Sequence, residues 1–287
     1  MIRPAGIAVD AVSQAGVETC IQLPELGLCF DMGVCPRNAV RLSKVLFTHA
    51  HVDHMAGVIH HCATRRMLGM KPPTYVMPER NVPAFHRMLD AWRELDGGGM
   101  ECEVRGLPAG ESYSIGPNLR AQAYATPHRV VSQGYVLMQR RQHLRPAYAQ
   151  LPELEIRELR QRGVEVSEPY EVPLVAFTGD SRVDILDSAP VFREARLLIM
   201  EVTFLDDRVD VARTREKGHI HLDEVLERAD RFENEAILFT HLSARYGPGE
   251  AVELLRKRLP PSLRERVWSL SGPGPVTATR TDPGSPG

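Results

Sequence analysis

The feature that most constrains this chain is the apolar stretch Val45-Leu46-Phe47 running straight into Thr48-His49-Ala50-His51-Val52-Asp53-His54. The first three residues read as a buried β-strand, and the polar run must sit at its end. His49 and His51, two apart, project to one side of an extended chain. Asp53 and His54 follow where the chain must turn, so they face the same pocket from another direction. Three imidazoles and a carboxylate within six residues are the ligand set that Zn²⁺ or another borderline divalent ion favours. The competing reading is a polar turn with incidental histidines. It fits poorly in a chain of 287 residues with 11 histidines in all.

The same design, an apolar strand ending in polar residues, recurs downstream. Leu174-Val175-Ala176-Phe177 delivers Thr178-Gly179-Asp180, Leu197-Leu198-Ile199-Met200 delivers Glu201, and Ile237-Leu238-Phe239-Thr240 delivers His241. Chemistry gathered at strand ends is how α/β enzymes assemble a site. Short strands are expected at 7–9, 18–23, 28–31, 74–77 and 119–125, the last delivering Thr126-Pro127-His128. Helices are expected over 54–67 and 83–95, the second with Phe85, Met88, Leu89 and Trp92 on one face. Residues 1–270 then form one domain, and the Gly/Pro/Ser/Thr-rich stretch 271–287 is expected to be a disordered tail.

Bulk composition narrows the function classes. With 43% hydrophobic and 25% charged residues the chain buries an ordinary globular core. A net charge of −2 gives no global pull toward nucleic acid or anionic lipid, so a polyanionic partner needs a local patch. Five cysteines without a C-x-x-C pair read as reduced thiols. Neither a signal-peptide h-region nor a run of membrane-spanning length is present, so a soluble cytoplasmic protein without a membrane partner is expected.

Seven candidate ligands suit two metals better than one. His49, His51 and His128 can make a three-histidine site, Asp53, His54 and His241 a second, and Asp180 can bridge both. Two ions about 3.5–4 Å apart activate water, orient a phosphate and stabilise a leaving oxygen, so phosphodiester hydrolysis is the reaction this set suits best. Taken singly, His128, Asp180 and His241 have bland alternatives as turn, cap and strand-end residues. His219 and His221 form a second His-x-His. His219 reads as a general acid and His221 as part of a helix start, followed by Asp223 and Glu224. His60, His61, His86 and His143 have no partner constellation.

With those residues assembled, the chain resembles the metallo-β-lactamase superfamily, whose hallmark is His-x-His-x-Asp-His. Within it the chain is similar to ribonuclease Z, the tRNA 3′-processing endoribonuclease, in its short plant-like form. The segments carrying the resemblance are Glu18-Thr19-Cys20-Ile21, His49 to His54, Met70-Lys71-Pro72-Pro73-Thr74, Thr126-Pro127-His128 with Ser132-Gln133-Gly134-Tyr135, and Phe177-Thr178-Gly179-Asp180. Further on come Met200-Glu201-Val202-Thr203-Phe204-Leu205-Asp206-Asp207, Gly218-His219-Ile220-His221-Leu222 and Thr240-His241-Leu242-Ser243-Ala244-Arg245-Tyr246. The resemblance implies an α/β fold, a four-layer αβ/βα sandwich, with a dinuclear zinc site at one edge (manganese also tolerates these ligands). It implies that Asp53 accepts the proton of the attacking water. It implies that His219, oriented by Glu201, donates one to the leaving oxygen. It also implies a homodimer that cuts precursor tRNA just after the discriminator base, leaving a 3′-hydroxyl.

Many bacterial relatives carry a long arm with a Gly/Pro-rich tip between the third and fourth metal motifs. Here the interval 136–173 is shorter and lacks that tip. It holds Arg140, Arg141, Arg145, Arg157, Arg160 and Arg162, read against Glu153, Glu155 and Glu158 as a local excess of three positive charges. A solvated amphipathic helix would account for this; a clamp on the tRNA backbone is the functional expectation. Arg245, beside His241, is a candidate contact for substrate phosphate. Two other functions compete: a small-substrate phosphodiesterase or lactamase-like hydrolase on the same scaffold, and a non-catalytic RNA-binding protein. The basic arm and the Glu201/His219 pair favour the nuclease.

Overall fold

The computed structural model describes residues 1–270, 272 and 274–277. The strands are β1 (Asp10–Ala15), β2 (Glu18–Leu23), β3 (Leu28–Phe30), β4 (Lys44–Leu46), β5 (Thr74–Met77), β6 (Glu103–Gly106), β7 (Ser112–Gly116), β8 (Leu119–Ala125), β9 (Gln133–Leu144), β10 (Ser167–Phe177), β11 (Leu197–Glu201), β12 (Ala236–Thr240), β13 (Leu242–Ser243) and β14 (Val267–Ser269). They form two seven-stranded sheets, in the orders β13-β1-β2-β3-β4-β5-β6 and β14-β12-β11-β10-β9-β8-β7.

Period-two alternation on the central strands puts these sheets face to face with helices outside. On the inner faces Leu46, Val76 and Phe30 of the first sheet meet Val175, Phe177, Leu197, Ile199 and Leu238 of the second. Phe30 stacks on Phe177 with ring centroids 5.0 Å apart, joining the sheets at their centre. The alternate residues face outward. Val45, Phe47 and Tyr75 pack under Val58, Cys62, Phe85 and Leu89. Leu198, Met200, Ile237 and Phe239 pack under Phe192, Leu222, Val225 and Leu255. Strands buried on both faces must be apolar throughout, which is why Leu197–Met200 and Ile237–Phe239 are continuous apolar runs. This is the expected four-layer αβ/βα sandwich.

The helices on the first sheet are α1 (Val52–Met55), α2 (Val58–Met67) and α3 (Val82–Asp96). The expected single helix from 54 is therefore two. Trp92 of α3 does not join the buried face: it is 43% exposed, while Phe85 and Leu89 fill the core. The first strand also differs from expectation. Val9 only bridges Ile2, and β1 begins at Asp10, a half-exposed strand with no apolar run to mark it in the sequence. Beyond residue 270, Pro275 bridges Trp268 and Val276 is buried, so the chain is packed there; most of the expected tail lies outside the described residues. All five cysteines are free thiols. Among the described residues no helix is long and apolar enough to cross a membrane.

The arm is a β-ribbon. Pairing of β8 with β9 stops at Gln139 and pairing of β11 with β10 starts at Val175. From Arg140 to Leu144 and from Ser167 to Glu171 the two strands therefore pair with each other beyond the sheet. A helix, α4 (Glu153–Gln161), closes the tip, with Ile156 and Val166 buried beneath it. The expected positive excess does not hold over the whole arm. The chain returning from α4 carries Glu165, Glu168 and Glu171, so 136–173 holds six arginines and six glutamates. Antiparallel register sets Glu171 opposite Arg140 and Glu168 opposite His143, and Glu165 lies 3.3 Å from Arg145.

Candidate metal centre

The site lies where the strand ends of both sheets meet. β4 runs out at Leu46, and Thr48 is pinned by Asp31, whose Oδ1 accepts the Thr48 N–H at 2.7 Å and whose Oδ2 accepts its hydroxyl at 2.7 Å. His49 is thereby fixed at the strand end, and His51 is the residue before the first turn of α1, which turns Asp53 and His54 back toward His49. From the second sheet, β10 delivers Asp180 through a turn at Gly179, whose φ is +57°. A Cβ at Gly179 would lie 2.6 Å from Thr48 Cβ, so only glycine lets the two strand ends approach this closely. β12 delivers His241, whose φ of +56° is strained for a residue other than glycine and aims its ring into the cluster.

All seven expected ligands converge. His49 Nε2, His51 Nδ1, His128 Nε2 and an Asp180 oxygen form one group, and Asp53, His54 and His241 form a second. Asp180 lies between them: Oδ1 is 3.3 Å from His54 Nε2, and Oδ2 is 3.4 Å from His241 Nε2 and 3.7 Å from His49 Nε2. Asp53 Oδ2 stands 3.7 Å from His54 Nε2 and 3.5 Å from His241 Nε2. Whether these residues fit a metal is tested by their unused atoms. His54 Nε2, His241 Nε2 and Asp180 Oδ1 are buried, without a hydrogen-bond partner, and all face the same small space. Unpaired buried polar atoms are costly, and three aimed together are the signature of a cation-binding pocket.

Protonation agrees. Burial, reinforced by His54, pushes the His49 imidazole well below its ordinary value. Burial also lowers His51 and His128, so these rings are neutral and competent to bind metal. Burial works against charge on Asp53 and Asp180, yet the surrounding imidazoles hold both carboxylates below their usual range. His54 is the exception. Burial opposes its charge, but Asp180 and Asp31 push it up to about 9.

Four of the five candidate ligand rings are oriented by their other nitrogen, as metal-binding histidines require. His54 Nδ1 donates to Asp31 Oδ2 at 2.8 Å, His128 Nδ1 donates to Gly218 O at 2.9 Å, and His49 and His241 Nδ1 meet the hydroxyls of Thr48 at 3.0 Å and Thr203 at 3.1 Å. Asp31 and Thr203 do not stand out in the sequence as site residues. The signal available for Asp31 is a carboxylate at the end of an apolar strand, and the turn Asp31-Met32-Gly33 accounts for it equally well.

His219 stacks on His241 with ring centroids 5.3 Å apart, and its Nδ1 donates to Glu201 Oε1 at 2.9 Å. Glu201 is buried and also accepts from Ser181 N, Thr203 Oγ1 and Ile220 N. Burial opposes charge on His219, but Glu201 raises it to about 9. His219 is close enough to Asp180 and His241 to count geometrically as a further donor. Its near nitrogen is Nδ1, already committed to Glu201, which leaves Nε2 for other partners. His221 starts a helix, as expected: its Nδ1 accepts from Asp223 N and Glu224 Oε2 accepts from His221 N. Arg245 is exposed, as are Arg140, Arg141, Arg157, Arg160 and Arg162, all five on the arm.

Comparison with known proteins gives the same picture. A family model described as a β-lactamase superfamily domain matches residues 32–242. tRNase Z TRZ1 of Arabidopsis thaliana is 38% identical over 268 residues, covering 93% of this chain and 95% of that protein. In fold, the chain is similar to the metallo-β-lactamase fold protein YhfI from Bacillus subtilis (TM-score 0.62, 16% identity, 91% and 94% of the two chains). It is also similar to the short form of human tRNase Z (TM-score 0.58, 18% identity, 83% and 93%). On the sequence match over nearly its whole length, the chain belongs to the tRNase Z family of metal-dependent phosphodiester hydrolases within the β-lactamase superfamily.

Proposed function

We propose that this protein is an endoribonuclease that removes 3′ trailers from precursor tRNA, using two zinc ions. His49 Nε2, His51 Nδ1 and His128 Nε2 would hold one, Asp53 Oδ2, His54 Nε2 and His241 Nε2 the other, with an Asp180 oxygen offered to each. When bound, such ions polarise a phosphate and make water more acidic. The chain's own residues do the rest. Asp53 accepts the proton of the attacking water. Glu201 fixes the tautomer of His219 through Nδ1, so that Nε2 carries the proton given to the leaving oxygen. The single observation that carries the reading is the trio of buried polar atoms without a hydrogen-bond partner (His54 Nε2, His241 Nε2 and Asp180 Oδ1) in a chain of this family.

Arg245 and the exposed arm arginines are proposed RNA contacts. A homodimer and a cytoplasmic location belong to the same proposal. With the arm charge-balanced, the preference for RNA over a small phosphodiester rests on the Glu201/His219 pair and the family. The test is incubation of zinc-loaded protein with a trailer-bearing precursor tRNA and mapping of the cut. Cleavage after the discriminator base with a 3′-hydroxyl is expected. Turnover of small phosphodiesters alone, with the precursor left whole, would overturn the reading.

A further inference from the structure

Large apolar side chains exposed to water are scattered on most proteins and need no explanation singly. Here four of them lie within three residues, in sequence, of groups at or bonded to the candidate metal centre, on three separate segments. Val52 lies between His51 and Asp53 and is 78% exposed. Val17, 54% exposed, is at the tip of the β1–β2 hairpin, which is tied to the centre because Gly16 N donates to Asp53 Oδ2 at 2.8 Å. Val130 and Val131, 41% and 44% exposed, follow His128 by two and three residues.

The third segment is held out rather than loose. Its neck is closed by Thr126 N donating to Ser132 O at 3.1 Å and by the Thr126 and Ser132 hydroxyls 2.9 Å apart. Pro127 O accepts from Arg182 N at 2.9 Å, and His128 is locked to Gly218 O. The tip, Arg129-Val130-Val131, is therefore presented to solvent by a fixed base. Arg129 is exposed, and its stem lies along the turn that carries His219: a Cβ on Gly218 would be 3.2 Å from Arg129 Cγ. Among the described residues Arg129 has no ion-pair or hydrogen-bond partner for its guanidinium.

We infer that Val17, Val52, Val130 and Val131 form an apolar rim on which the unpaired bases flanking the scissile phosphate pack, with Arg129 contacting the adjacent phosphate. This rests on the proposed nuclease function. Isopropyl groups offer bases dispersion contact and water exclusion without hydrogen-bond readout, so grip here is independent of base identity. A free guanidinium beside such a surface suits a phosphate oxygen. Folding gains nothing from leaving these valines in water, whereas a nucleotide strand bound at the centre could cover them.

The test is a double-mutant cycle in kcat/KM with the zinc-loaded protein. One axis is Val17→Ser, Val52→Ser, Val130→Ser and Val131→Ser combined, with Arg129→Ala as a separate variant. The other axis is an intact precursor tRNA against one with abasic sites on both sides of the scissile phosphate. Zinc content and the thermal midpoint check folding, and single substitutions replace the combined variant if it unfolds. Expected is a tenfold or greater loss, mostly in KM, for the rim variant on the intact precursor. A similar loss is expected for wild type on the abasic one, with little further loss when the two are combined. Base changes that keep the bases present should alter kcat/KM less than threefold. Arg129→Ala should lose activity equally on both substrates and weaken its salt dependence. Independent, multiplicative losses, or none, overturn the rim while leaving the nuclease reading intact. Failure of wild type to cut the intact precursor overturns both.

Discussion

Asp31 Oδ2 accepts the Nδ1–H of His54 at 2.8 Å, and that bond turns the other ring nitrogen toward Asp53 and Asp180. Asp31 itself sits at φ +52°, a conformation Asn tolerates nearly as well as Asp. Asp31→Asn should therefore fold, yet it loses the charge that orients His54. Metal affinity of the Asp53/His54/His241 group should fall by about 10–100-fold, the usual cost of losing such a partner. Metal retained after dialysis against graded chelator measures it. Retention curves superimposable on wild type would show that Asp31 does not orient the ligand.

In the proposed mechanism His219 and Glu201 separate proton donation from metal binding. Because Nδ1 of His219 is committed to Glu201, His219→Ala should keep its full metal content while kcat drops by about 10²–10⁴. Loss of metal from that variant would make His219 a ligand instead. Glu201→Gln keeps an acceptor but removes the charge, so it should lower kcat with KM little changed. A rise in KM of the same size as the fall in kcat would place Glu201 in substrate binding.

How much of this is visible in the chain follows from where the information lies. The ligands stand at the ends of continuous apolar strands, and each strand announces its own end, so His49, Asp180 and His241 are legible from local pattern. The α/β class follows from the same strands, and the sandwich from the family resemblance. The partners of those ligands are not legible. Asp31 and Thr203 act through space across strand ends, and a lone carboxylate or hydroxyl at a turn has the same local signature as a cap. Charge in the arm is misleading for a related reason. Glu165, Glu168 and Glu171 lie beyond the run of arginines in sequence, and only the antiparallel return of β10 brings Glu168 and Glu171 opposite β9. Trp92 falls on the helical stripe of Phe85 and Leu89, yet it is 43% exposed where those two are buried, so the stripe alone overstates the covered face.

The balanced arm makes a specific electrostatic prediction. Arg145 is paired with Glu165 and adds little, whereas Arg140, Arg141, Arg157, Arg160 and Arg162 are exposed. Replacing those five by Ala should raise KM for precursor tRNA. The dependence on salt should flatten by about 0.7–0.9 in log–log slope for each phosphate that is no longer neutralised. Bis(p-nitrophenyl) phosphate hydrolysis should be untouched. A salt slope equal to that of wild type would mean that the arm does not grip the backbone.

His61 offers a stability test away from the metal centre. It is fully buried on the inner face of α2, where Nε2 donates to Leu42 O at 3.1 Å and Nδ1 lies 2.9 Å from the Tyr75 hydroxyl. Burial, with the nearby Arg65 charge, lowers the imidazole from 6.5 to about 4. In the folded protein the ring is thus neutral, while the unfolded chain takes up a proton as pH falls below 6.5. The contribution is fully present above 6.5 and is lost progressively as pH drops toward 4, below which both states are protonated. A depression of this size is worth about 3 kcal/mol at most. His61→Gln cannot titrate, so although it loses stability at every pH, its denaturation midpoint should fall less steeply than wild type between pH 6.5 and 4. Urea midpoints across that window decide the matter, and parallel curves for the two proteins would show that His61 is not the group whose protonation acid exploits.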